Sequence, residues 1–203
     1  MDPNAGKRTL ANKLSREELQ AKLDAETFQR TTVSFYKYVI IENPQELRDA
    51  LFAQWSQWDC LGRIYVSREG INAQMNVPQH HWDAFDAFIH GIEYFHDVPF
   101  KLAVTDKTEG KSFLKLVVKV REQIVADGLQ PEDYDVTDVG AHLTAKDWNE
   151  AIEKHDPVVV DMRNHYESEI GHFEGAVLPE AETFREELPM VLEKLKGQED
   201  RKI

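Results

Sequence analysis

The chain of 203 residues has one cysteine, Cys60, which excludes a disulfide framework and any cysteine-rich zinc site. It has no run of 18 or more apolar residues, and residues 1–14 lack the apolar stretch of a secretory signal. These absences predict a protein of the reducing cytoplasm with no membrane partner. No internal repeat or low-complexity tract is present. Basic residues are scarce towards one end: residues 121–203 hold 9 Lys and Arg against 21 Asp and Glu, whereas residues 1–120 hold 15 against 16. The net charge of −13 therefore speaks against nucleic acid only for the last two-fifths. Such asymmetry predicts two units with different tasks, of which the first is the one able to meet RNA. What is present, 41% apolar and 30% charged residues, suits a packed core in one large domain or two small ones.

Ser15-x-x-Glu18 has capping-box spacing and predicts a short helix to about Glu26. Residues 31–41, rich in β-branched and aromatic side chains, read as a first strand. Pro44 opens a helix with Leu47, Leu51, Trp55 and Trp58 on one stripe. Residues 63–67 form a second strand, Glu69-Gly70 a tight turn, and Ile71, Ala73, Met75 and Val77 an alternating third strand. A second helix carries Trp82, Phe85, Ile89 and Ile92 on one face, and residues 100–104 form strand four. Beyond a turn at residues 106–110, Leu114, Leu116, Val118 and Val120 alternate with Lys115, Val117, Lys119 and Arg121. The order βαββαβ plus one strand predicts an α+β ferredoxin-like domain over residues 1–122, with both helices on one side of an antiparallel sheet. Residues 123–140 read as a connector. In residues 141–203, a helix from Thr144 to Glu153, strands at 158–161 and 176–178 and a helix over 182–196 predict a parallel α/β arrangement.

The densest chemical signal is Asp161-Met-Arg163-Asn-His-Tyr-Glu167, followed by Gly171-His172 and Gly175-Ala176. An Asp at the carboxyl end of a buried parallel strand sits where α/β folds gather ligands, and Arg163 offers a planar fork to an anion. The same residues also allow a purely structural arrangement, with Asp161 capping the next helix and Arg163 paired to Glu167. On the first unit, an open sheet face with Lys115, Lys119 and Arg121 gains either Phe35/Lys37 or Tyr36/Tyr38 from strand one. Aromatics interleaved with cations on an open sheet suit RNA bases and phosphates, although lysines on an exposed sheet also serve solubility alone. Asn72, opening strand three in a poor strand former, points to a specific polar contact.

The run Val159 to Ala176, with Asp161-x-Arg163 and Gly171-His172-x-x-Gly175-Ala176, resembles the first half of a rhodanese domain. Residues 32–38, Gly62-Arg63 through Glu69-Gly70-Ile-Asn72-Ala-Gln74, Gly110-Lys111-Ser112-Phe113 and Val125-Ala-Asp127-Gly128 resemble the rhodanese-related tRNA uridine hydroxylases of bacteria. The resemblance implies an enzyme that forms 5-hydroxyuridine at the tRNA wobble position with dioxygen and a reductant. It implies an incomplete rhodanese-like domain over residues 141–203, bordered at its active site by Asp161 and Arg163. The family's nucleophilic cysteine is expected beyond Ile203, so none of these residues is expected to be the nucleophile. The expected tRNA contacts are Lys37, Arg63, Asn72, Lys111, Lys115, Lys119 and Arg121. The rivals are a rhodanese-type sulfurtransferase and a non-catalytic tRNA- or protein-binding module.

Other residues carry less. Cys60 reads as a buried apolar group. His80-His81 point to different helix faces with no usefully spaced third ligand, so no metal site is expected. His172 reads as packing between two glycines, His165 as a weak candidate for a ligand or proton shuttle, and Glu180, Glu182, Glu186 and Glu187 as a solvated helix face. The edge Val158-Val-Val160 is expected to invite association with other chains.

Overall fold

A computed structural model describes residues 14–103, 112–125, 128–129, 134–198 and 201. Lys111, the whole of the 106–110 turn and Ile203 lie outside the described residues. The chain divides into two compact units, Met1–Ile124 and Val125–Ile203.

The first unit begins with α1 (Arg16–Asp24), whose N-terminus is closed by the Ser15–Glu18 box in both directions. Its end is tied to the sheet by Arg30. This buried guanidinium donates to both carboxylate oxygens of Glu26 at 2.7 and 2.8 Å and to the Asp59 carbonyl at 2.7 Å. The remaining elements are β1 (Arg30–Tyr38), α2 (Pro44–Gln57), β2 (Leu61–Ser67), β3 (Gly70–Pro78), α3 (Trp82–His90), β4 (Lys101–Leu102) and β5 (Leu116–Val120). They build a five-stranded sheet in the order β4-β1-β3-β2-β5. β1, β2, β3 and β4 pair antiparallel, but β5 runs parallel to β2. The expected all-antiparallel sheet is thus mixed. β1 and β2 run the same way because α2 carries the chain back between them, and β5 follows β2 from the far edge.

One face of the sheet is the core. Val33, Phe35, Ile64, Val66, Ile71, Ala73, Met75 and Val77 meet Leu51 and Trp55 of α2 and Phe85 and Ile89 of α3, all buried. Each such large side chain contributes roughly 1.5–3 kcal/mol. The stripes that predicted the two helices are the faces that pack. β1 stops at Tyr38, three residues short of the expected end. Beyond it, Val39 and Ile41 donate instead to the carbonyls of Glu69 and Arg68 in the β2–β3 turn. Gly70 leaves that turn at φ +146, and a Cβ there would lie 2.0 Å from the Lys37 carbonyl oxygen, so only glycine fits. The buried Glu69 carboxylate accepts the Ile124 N–H at 2.6 Å.

The second unit has α4 (Ala145–His155), α5 (His165–Ile170) and α6 (Phe184–Lys194). Thr144 caps α4 in a box with Asp147. The two expected strands shrink to one parallel bridge, Val160 with Val177. Val177 donates to the Val159 carbonyl at 2.8 Å and Asp161 donates to the Val177 carbonyl at 3.0 Å. Among the described residues, the buried apolar side chains here are Val158, Pro179, Ala181 and Val191. Ile170 is 88% exposed, and Tyr166, Phe173 and Leu192 are exposed as well. Burial this small leaves the conformational entropy of ordering largely uncompensated, which is why regular strands do not extend.

Candidate functional site

Asp161 lies at the end of the Val158–Val160 segment, buried, and Arg163 folds back on it. The guanidinium donates from Nε to Oδ1 at 2.9 Å and from Nη2 to Oδ2 at 2.6 Å, and the Arg163 backbone N–H reaches Oδ1 at 3.2 Å. Nη2 also donates to the Gly171 carbonyl at 2.6 Å. The structural alternative of the sequence, with Asp161 as a helix cap and Arg163 paired to Glu167, is not what forms. The cap position of α5 is Asn164, and Arg163 pairs with Asp161 two residues away. The fork is planar and bidentate, the strong geometry for this pair. The hydrogen bonds from the Arg163 guanidinium hold the Asp161 carboxyl below its usual range against the opposing effect of burial, with the Arg163 backbone N–H and charge adding to the shift.

Around this pair, Trp148, Val159, Val160, Gly171, His172 and Phe173 line a concavity of about 410 Å³ with Asp161 and Arg163. The Trp148 and Phe173 rings lie 5.0 Å apart, and the Trp148 indole N–H is buried without a partner. His172 Nδ1 is 2.8 Å from the Ser168 carbonyl, which orients its ring, and Gly175 has open space beside it rather than the imidazole packed against it. His165 is held by Glu169 at 3.4 Å. A cationic fork, an aromatic wall and a fixed imidazole can orient an anionic or planar group. They include no nucleophile.

Glu187 corrects the sequence reading. It is 1% exposed rather than on a solvated face, and its Oε1 has no hydrogen-bond partner. Burial pushes its carboxyl up, and the negative charges of Asp161 and Glu167 add to the shift. The signal missing from the sequence was tertiary, since an acid run on a helix reads the same whether one member turns inward or not. Cys60 is likewise buried and its thiol is pushed up to about 12, chiefly by burial, with Arg30 opposing. It is not a reactive thiol. Among the described residues no three His, Cys, Asp or Glu side chains converge as a metal would require. The rings of His80 and His81 instead pack on Phe28 and Trp58.

The candidate RNA contacts fall on several surfaces. Arg63, Asn72, Lys119 and Arg121 share the sheet face opposite the core. The register aligns Tyr36, Asn72, Tyr65 and Lys119 across β1, β3, β2 and β5, and Lys101, Ser34, Gln74 and Arg63 in the next row. Phe35 and Lys37 lie on the other face. Phe35 is core, and Lys37 is ion-paired to Asp97, whose carboxyl it pulls down. Strand one thus offers the sheet face Tyr36 and Tyr38, not Phe35 and Lys37. Lys115 precedes β5 and borders a separate concavity with Leu114, Leu116 and α1. The Phe113 N–H donates to buried Asn76, which also holds Thr32. Tyr65 and Lys101 were not singled out in the sequence, because only strand pairing shows that they share this face. Among the described residues no helix is long and apolar enough to cross a membrane.

A family model described as the UPF0176 acylphosphatase like domain matches residues 30–124. The chain is 53% identical over 197 residues to a protein of Leptospira interrogans named tRNA uridine(34) hydroxylase, a match that covers 97% of this chain and 53% of that protein. Proteins of the same name from Photorhabdus laumondii and Erwinia tasmaniensis are 43% and 47% identical over 96% of this chain and 55% of theirs. The chain spans about half the length of the curated relatives it matches.

Proposed function

We propose that this chain, which belongs to the family of its relatives named tRNA uridine(34) hydroxylase, serves the 5-hydroxylation of the wobble uridine of tRNA. The observation that carries this reading is an identity of 43–53% running through both units rather than through one. In the proposed reaction a C5–H bond of uridine becomes C5–OH with one atom of dioxygen. The other atom leaves as water at the expense of two electrons from a reductant. The first unit is read as a ferredoxin-like domain that holds tRNA, supported by the order β4-β1-β3-β2 with α2 and α3 on one face. The second is read as part of a rhodanese-like domain, supported by the parallel Val160–Val177 bridge and the Asp161–Arg163 fork beyond it. In this reading Asp161 orients Arg163, and Arg163 places an anionic group of the substrate at the strand end. Cys60, buried and protonated, takes no part, so any sulfur nucleophile is one that residues 1–203 do not supply. A tRNA substrate places the protein in the cytoplasm.

The test is nucleoside mass spectrometry of tRNA from cells whose only hydroxylase of this family is a full-length protein carrying these residues. The expected result is 5-hydroxyuridine with the native sequence and with Cys60→Ser, and its loss with Arg163→Ala. Absence of 5-hydroxyuridine from the native strain overturns the reading.

A further inference from the structure

On the sheet face opposite the core, every side chain in the register is neutral or basic. β1 places Thr32, Ser34, Tyr36 and Tyr38 there; β3 places Asn72, Gln74 and the buried Asn76; β2 places Leu61, Arg63, Tyr65 and the buried Ser67; β5 places Val117 and Lys119; β4 places Lys101. No carboxylate occupies any of these positions, in a chain with 37 Asp and Glu. Arg63, Gln74, Tyr36 and Lys101 are exposed, and Tyr65 and Asn72 half-buried. Tyr36 is 48% exposed, with the Lys101 ammonium over its ring at 5.1 Å. Tyr65 has the Arg121 guanidinium over its ring at 5.4 Å. Two tyrosine faces are therefore each covered by a cation, with the Asn72 amide between them in the same row.

We propose that this face binds an unpaired stretch of RNA, with bases stacked on Tyr36 and Tyr65, their edges read by Asn72, and phosphates met by Arg63, Lys101, Lys119 and Arg121. The proposal rests on the tRNA reading above, whose wobble uridine already lies in an unpaired loop, and adds which surface and which side chains of this chain hold that loop. Tyr36 and Tyr65 stand on strands two positions apart in the sheet, hence about 10 Å from each other. A splayed single strand bridges that distance. In an RNA duplex the base faces are buried in a continuous stack, and no ring can reach them. Lys101 and Arg121 occupy the π-faces while RNA is absent. On binding, a base takes the ring face and the cation swings out to the adjoining phosphate, so each group exchanges one attractive partner for another. Asn72 has both donor and acceptor atoms to offer a base edge.

The experiment measures binding of the 203-residue protein to a fluorescein-labelled anticodon stem-loop RNA and to a fully paired RNA of equal length, by anisotropy across a salt series. The stem-loop is expected to bind more tightly. Tyr36→Ala and Tyr65→Ala are each expected to weaken stem-loop binding roughly tenfold, the scale of one stacked base. Tyr36→Phe and Tyr65→Phe, which keep the ring, are expected to bind like the native protein. Arg121→Glu is expected to weaken binding and flatten its salt slope. Equal affinity for duplex and loop, or alanine variants that bind the loop normally, overturns the proposal. Tyr36 is exposed, so its alanine variant tests the idea even if the half-buried Tyr65 proves needed for folding. Binding requires no turnover. Absence of 5-hydroxyuridine from the strain carrying the native sequence, with loop binding intact, would sink the hydroxylase reading and leave this face standing.

Discussion

At the scale of single residues, two buried acids of the second unit respond to pH in opposite senses. The pairing with Arg163 draws the Asp161 carboxyl below its unfolded value, so its contribution to stability is full above the ordinary carboxylate range and is lost as pH falls through the lowered value, below about pH 4. Glu187 is the reverse case. Its raised carboxyl contributes stability that is complete below the ordinary value of a glutamate and is lost as pH rises through the raised one. Glu187→Gln is therefore expected to slow amide exchange over residues 125–203 at neutral pH, with the difference from the native protein vanishing near pH 4. An equal effect at both pH values would show that Glu187 is held by something other than its charge. Cys60 yields a simpler expectation: its thiol should resist iodoacetamide at pH 8 and react at once in denaturant. The burial of Cys60 was legible in the sequence, since a lone cysteine beside apolar residues is usually core. The burial of Glu187 was not. Nor was the choice between Phe35/Lys37 and Tyr36/Tyr38, because both alternations hold an aromatic and only the pairing with β3 decides which faces the helices.

At the scale of elements, local signals read well and non-local ones did not. The Ser15 and Thr144 caps, the Pro44 start and the apolar stripes of α2 and α3 all depend on neighbours within four residues. The parallel course of β5, the brevity of β4 and the shrinkage of two strands to one bridge depend on partners far along the chain. The β2–β3 turn shows both kinds. The need for glycine at 70 followed from a turn signal, but the clash that enforces it involves Lys37 on another strand. Gly70→Ala is expected to destabilise the first unit by about 3 kcal/mol, the scale of a strained backbone with a steric clash. Thermal unfolding followed by tryptophan fluorescence measures it, and an unchanged melting temperature would mean that the turn rearranges freely.

At the scale of the whole molecule, the two units differ in how much each buries. The first holds a continuous core under its helices, whereas the described part of the second buries four apolar side chains and leaves Ile170, Tyr166, Phe173 and Leu192 in solvent. Native-state hydrogen exchange is expected to show faster exchange over residues 134–198 than over residues 30–98. Uniform protection would show that the second unit draws stability from contacts other than apolar burial. The charge asymmetry runs along the same division, since the acidity collects where the core is thin. The point of departure between them has a mechanical meaning. Because the Glu69 carboxylate grips the Ile124 N–H, the chain is moored to the β2–β3 turn at its last step out of the first unit. Glu69→Ala is expected to leave the Ile124 N–H without that acceptor, so that its amide exchanges faster while Arg121, bonded to the Val66 carbonyl, keeps its protection.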